Sequence, residues 1–256
     1  MSILCAAWQR NRSACWPVGC LLLALGCSDA SHRLGGAEGT ADALRPFGLC
    51  SAGADFELID DMEDGDGTID MTAQRGGVWF AFHDKTPDAK QLPASDAETF
   101  VMSELVPPRS GSHYAAHTEG AGFAGWGAGI GFELYNQKAY DLSSYAGITF
   151  WARGGPTNVA VPRFALTDSA TAPRGGQCGQ GEDYTLCSDY FGADLSLGTE
   201  FQRYSFTWQE LEQIGWGEPR PKAVNAAEAY GVRFQIESAK PFDFWIDDIA
   251  LLCHPD

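Results

Sequence analysis

Four carboxylates sit where a folded chain has to account for them. Asp247 and Asp248 interrupt the C-terminal run FDFWIDDIALL (Phe242–Leu252), and Asp61 and Glu63 close the run FELIDDME (56–63). Both runs are aromatic and β-branched, the composition of strands. A carboxylate buried there without a partner would cost on the order of several kcal/mol. These acids therefore need a counter-charge or a wet strand end. Carboxylate oxygens gathered from two strand ends suit calcium. The expectation is a structural calcium held by Asp61 or Glu63 together with Asp247 or Asp248, joining the first and last strands. The adjoining DDMEDGDGTID (60–70) is not an EF-hand, because the first and twelfth loop positions fall on Met62 and Ala73. His113 and His117 are a further pair, placed on one strand face by their spacing. They could share a metal or simply be surface residues.

The strands that must position such groups alternate clearly. Stretches near 56–61, 78–83, 112–118, 130–133, 147–153, 159–167, 202–207, 231–237 and Phe242–Leu252 read as strands between Gly, Pro, Asn and Asp. Helical periodicity is confined to 208–214 and 225–229. In 147–153, Ile148, Phe150 and Ala152 oppose Thr149, Trp151 and Arg153. In 231–237, Val232, Phe234 and Ile236 oppose Arg233, Gln235 and Glu237. In 159–167, Phe164 and Leu166 oppose Arg163 and Thr167. One face is apolar, while the other offers arginine, amides and tryptophan. Such a face is either a solvated surface or a carbohydrate-binding cleft, in which polar groups meet sugar hydroxyls and an indole stacks on the ring. Trp126 and Trp216 each stand between glycines, either as core plugs or as binding platforms.

Many short strands with Gly-rich connections indicate an all-β antiparallel sandwich, a jelly roll. The chain has 256 residues and a formal charge of −17, enough for one sizeable domain. The charge argues against nucleic acid as a partner. Residues 1–26 carry Arg10 and Arg12 and an apolar run too short to span a bilayer. That run ends in LALGC, which resembles a bacterial lipoprotein signal with Cys27 as the lipid acceptor; an ordinary signal with an incidental cysteine is the alternative. Its removal takes two of 17 basic and none of 34 acidic residues, leaving −19. Residues 27–49 read as a flexible tether and 50–256 as the domain. The chain is expected to be tethered to the cell envelope, at the outer membrane or cell surface, through lipid alone.

Of eight cysteines, Cys50, Cys178, Cys187 and Cys253 remain beyond Cys27. They allow three pairings. Cys178–Cys187, closing a short loop, and Cys50–Cys253, bracketing the domain, are favoured, as in an oxidising compartment. No zinc-ligand spacing is present among them.

The ordered motifs GFAGWGAGIG (122–131), YDLSSYAGITFWAR (140–153), FALTD (164–168), CSDYFG (187–192), QIGWG (213–217) and FDFWIDDI (242–249) carry a resemblance. Together they resemble galactose-binding-like jelly-roll domains related to family 11 carbohydrate-binding modules. The resemblance implies a saccharide, such as a β-glucan, bound in a sheet cleft, with Trp151, Arg153, Arg163 and Asp168 on or near cleft strands. It also implies calcium near Glu63 and Asp247. With Arg233, Gln235 and Trp126 from the strand faces and the glycine context, these form the expected carbohydrate site. No GxSxG, HExxH, P-loop or dinucleotide turn is present. The expected function is non-catalytic carbohydrate binding by a monomer; the alternatives are a polysaccharide hydrolase with a carboxylate pair in the cleft, or a protein-interaction scaffold.

Overall fold

The computed structural model describes residues 50, 53–97, 99–173, 177–179, 184–237 and 239–254. The expected leader (1–26), tether (27–49) and lipid acceptor Cys27 lie outside the described residues.

Twelve described strands form two antiparallel sheets. One sheet runs in the order β10 (Gln202–Thr207), β7 (Gly147–Gly154), β12 (Phe242–Leu252), β5 (Ser112–Ala121), β3 (Lys90–Leu92). In it, β1 (Phe56–Asp60) lies along the second half of β12 and β4 (Ser103–Arg109) along β5. The other runs β2 (Trp79–His83), β6 (Ala128–Glu133), β11 (Ala229–Ile236), β8 (Arg163–Asp168), β9 (Phe191–Asp194). The result is an antiparallel sandwich of jelly-roll type. The sheets close on aromatic contacts: Phe150 of the seven-stranded sheet meets Phe164 at 5.2 Å and Phe234 edge-on at 5.1 Å. All three are fully buried, so the apolar faces read from alternation are the core faces.

Every stretch expected as a strand contains one. The strand expected over 159–167 begins only at Arg163, behind Pro162. Three strands carry weaker signals: β3 is three residues long, β9 holds a glycine, and β4 contains Pro107 and Pro108, which cannot donate to a ladder. Short 3-10 turns occupy Trp208–Glu210 and Ala226–Glu228, inside the two stretches expected to be helical.

The organising strand is β12. Simple alternation would put Ile246 and Ile249 on opposite faces, yet both are fully buried in one core. A bulge explains this. The register against β7 shifts between Asp247 and Ala250, and Asp248 takes φ 46°. The extra residue changes the parity of the strand. Phe244 and Ile246 before it, and Ile249 and Leu251 after it, therefore all face inward. The first and last strands are hydrogen-bonded neighbours, and Cys50–Cys253 closes the seam beside them. Cys178–Cys187 is the second disulfide, so both favoured pairings form.

Candidate functional site

The outer face of the five-stranded sheet is built around two glycines. On β6, Gly131 lies between Phe80 of β2 and Arg233 of β11, while Gly129 lies between Phe82 and Gln235. A Cβ on Gly129 would come 2.9 Å from the Phe82 ring, and one on Gly131 3.3 Å from Arg233 Cγ. Without those side chains the Arg233 guanidinium reaches across the strand. It lies 4.9 Å from the Phe82 ring centre, and 5.3 Å from that of Tyr190 on its other side.

Two exposed tryptophans stand over this face, each held by the same device. In Gly125-Trp126-Gly127, the amides of both glycines donate to Asp84 Oδ2, at 2.7 and 2.9 Å. In Gly215-Trp216-Gly217, both glycine amides donate to Asp189 Oδ2, at 2.8 and 3.0 Å. Asp189 Oδ1 also accepts from Ile214 N. A carboxylate gripping successive amides makes strong, charge-assisted bonds. Glycine is required for the grip, since a Cβ at Gly125 would meet Asp84 Oδ2 at 2.8 Å and one at Gly217 would meet Asp189 Cβ at 2.4 Å. Against burial, which works the other way, the bonds from Thr86, Gly127 and Gly125 pull Asp84 down to about 2. It is therefore an anion at any ordinary pH. The backbone is fixed and the indoles are left free: Trp126 is 52% and Trp216 45% exposed.

Gln235 links the two. Its Nε2 donates to the Trp126 carbonyl at 2.9 Å, and it lines a hollow with Trp216, Tyr190 and Arg163. That hollow continues into a groove of about 330 Å3 that Gln235 shares with Arg163, Asp194, Ile214, Glu237 and Lys240. Arg163 is braced by Asp194 Oδ1 at 3.0 Å and by the Glu212 carbonyl. Burial pushes the Glu237 carboxyl up, and Arg163 offsets this only in part. The hollow and groove thus offer the Trp216 indole, guanidinium and amide donors, and carboxyl acceptors, while the Trp126 indole stacks on Phe82 of the same face.

The expected carbohydrate residues divide between places. Arg163, Arg233, Gln235 and Trp126 share this face. Trp151 and Arg153 lie on the outer face of the other sheet, in a ladder of alternating rings and cations. Trp151 is flanked by Arg203 at 5.2 Å and Arg109 at 4.7 Å, while Arg153 lies between Phe201 and Trp245. Guanidiniums already occupy the Trp151 ring, so the expectation that these two join the others in one cleft is corrected. Asp168 is corrected as well: it is fully buried, and its carboxylate accepts from the Thr171 and Asn225 amides. Trp216, Asp84 and Asp189 were absent from the expected set. The repeated Gly-Trp-Gly marks the indoles, whereas nothing local marks the distant aspartates.

Each of the four expected calcium ligands has a partner within the protein. Asp247 Oδ2 accepts from Arg109 Nε at 2.9 Å and Ser112 Oγ at 2.8 Å, and Asp248 pairs with the same guanidinium. Glu63 is taken by the amides of His113 and Tyr114, at 2.8 and 3.0 Å. Asp61 accepts from Glu63 N. The counter-charge at the junction of β12 and β4 is the protein's own arginine. His113 and His117 also part company, since the first pairs with Glu63 and the second with Asp243.

No protein-family model and no curated protein matches the sequence. Among solved structures, the chain is similar to a family 11 carbohydrate-binding module of a cellulosomal cellulase of Clostridium thermocellum. Identity is 11%, the TM-score 0.49, and the match covers 78% of this chain and 96% of that one. A structure of the family 11 module from that organism, in complex with a β-1,3-1,4-mixed-linked tetrasaccharide, matches at 13% identity and TM-score 0.47, covering 75% and 98%. A family 30 module of another cellulosomal cellulase of C. thermocellum matches at 12% and 0.47, covering 77% and 98%.

Proposed function

We propose that the outer face of the five-stranded sheet binds a saccharide without transforming it. The observation that carries this reading is the pair of clasped tryptophans. An exposed indole whose backbone is fixed can stack on a sugar ring with little loss of conformational freedom. Between them, Arg163, Arg233, Gln235 and Glu237 supply donors and acceptors for hydroxyl groups. We infer export from the two disulfides, which belong to an oxidising compartment. Anchoring through Cys27 rests on the leader sequence, and the mass of the mature N-terminal peptide checks it.

The test is a glycan-array screen of the oxidised protein, followed by calorimetry on any hit with Trp126→Ala, Trp216→Ala and Trp151→Ala. Each of the first two changes is expected to weaken binding by about 2 kcal/mol, roughly thirtyfold. The third, on the opposite sheet, should leave affinity unaltered. Loss confined to Trp151→Ala would move the site to the other face. A blank array would remove the saccharide, and turnover of the bound sugar would overturn the non-catalytic part.

A further inference from the structure

The outer face of the seven-stranded sheet carries a second cluster that the saccharide reading does not use. β12 and β5 are paired so that Asp243 stands opposite Glu119, and Trp245 opposite His117. Two carboxylates directly across an antiparallel pair repel each other. Nothing in the strand pattern requires that juxtaposition, and a cation between them would relieve it.

The three polar side chains converge. One ligand atom from each of His117, Glu119 and Asp243 lies within 4.8 Å of the others, and His117 Nε2 is 3.0 Å from Asp243 Oδ1. Ligands about 2 Å from a common ion lie at most about 4.2 Å apart, so a small turn of the half-buried Glu119 closes the set. The other two are already oriented. Asp243 is 5% exposed, and Thr157 Oγ1 donates to its Oδ2, leaving Oδ1 directed at His117. Its own amide donates to Asn158 Oδ1, so the 155–158 loop holds both backbone and carboxylate. The His117 ring stacks on Trp245, centroids 3.9 Å apart and planes 13° from parallel, which fixes where its nitrogen points. Hydrogen bonds and packing that set the direction of ligands are the usual outer shell of a metal site. Arg153 is the basic group over the Trp245 ring, and it interacts with the Asp243 charge.

We propose that His117, Glu119 and Asp243 form a site for a divalent transition-metal ion of the zinc or cobalt class. One imidazole nitrogen and two carboxylate oxygens suit such ions and leave solvent-facing positions for water. The site lies across the sandwich from the groove and does not depend on it. Binding displaces the hydrogen bond between His117 and Asp243, and the metal takes both atoms.

The test titrates the full chain, stripped of metal, with both disulfides formed and the remaining thiols blocked, with zinc by calorimetry and with cobalt by tryptophan fluorescence, Trp245 being the indole beside the site. One equivalent of zinc should bind, and cobalt quenching should saturate at the same stoichiometry. His117→Ala and Glu119→Gln should each weaken zinc by about tenfold or more, whereas His113→Ala should leave it unchanged. Glu119→Gln keeps the test open should changes at buried Asp243 disturb folding. Absence of binding overturns the proposal, as does unchanged affinity in both variants. Loss in His117→Ala alone reduces the site to a surface histidine and overturns it equally.

Discussion

Asp84 shows how one carboxylate can serve a side chain it does not touch through its own. It accepts from the amides on both sides of Trp126 and from the Thr86 amide and hydroxyl, while its own amide donates to the Gly127 carbonyl. Gly127 completes the turn at φ 95°. Asp84→Ala removes the acceptor and keeps the indole. If Trp126 works as a preorganised platform, this variant should lose saccharide affinity by roughly tenfold, about 1.4 kcal/mol, through the cost of ordering the loop on binding. Calorimetry should show that cost as a more unfavourable entropy. Affinity equal to wild type would mean that the clasp is structural only. The sign of the pH effect follows from the depressed carboxyl. Its stabilising contribution is fully present above the ordinary aspartate range near 4 and is lost only as pH falls through about 2. Binding through this clasp should therefore be flat from pH 5 to 8. The aspartate itself was invisible in the sequence, because it lies far from the glycines it holds and has no motif of its own.

At the scale of the strand, β12 is where sequence reading both succeeded and stopped. FDFWIDDIALL announces a buried strand, and the two embedded acids announce a need for counter-charge. The bulge at Asp247 and Asp248 reconciles them by turning one acid outward and adding the other as an unpaired residue. The partner was not legible, since Arg109 lies on β4, a strand obscured by its prolines. Similarly, alternation sorted residues onto inner and outer faces, Phe164 and Leu166 among the inner ones, but Asp168, next on that same face, was expected in the cleft. It could not say that β7 belongs to one sheet and β8 with β11 to the other, so Trp151 and Arg233 looked like neighbours. Arg109 makes the electrostatic account testable. The Asp247 side chain is fully buried, and that of Arg109 is 15% exposed. Arg109→Ala should cost about 3–5 kcal/mol in denaturant melts, mainly by leaving a buried charge unpaired. Adding Asp247→Asn should recover much of it, as removal of the charge removes the need for its partner. If the double variant is as unstable as Arg109→Ala, the loss comes instead from packing of the guanidinium over Trp151 and Phe201.

The whole molecule presents two differently equipped outer faces on either side of one aromatic core. The five-stranded sheet carries clasped indoles over a groove; the seven-stranded sheet carries a ladder of rings and arginines ending at His117 and Asp243. Face-to-face sheets stand about 10 Å apart, and here the space is filled mainly by rings such as Phe150, Phe164 and Phe234, with one buried polar link in which Gln91 Nε2 donates to Thr118 Oγ1 and to the Gly129 carbonyl. Allosteric coupling requires that each ligand favour one of two arrangements of the intervening structure. A close-packed core offers no second arrangement at low cost. Saccharide affinity should consequently be the same, within about twofold, in metal-free protein and in protein saturated with zinc. By reciprocity, saccharide should not alter the zinc titration. Zinc should nevertheless raise the melting temperature through mass action on the folded state, whereas calcium, for which the acids around Arg109 provide no common site, should leave it unchanged. A melting temperature raised by calcium would restore an oxygen-ligand site at the junction of the first and last strands. A zinc-dependent change in saccharide affinity would show instead that the two faces respond to one another, and that the sandwich between them has a second packing.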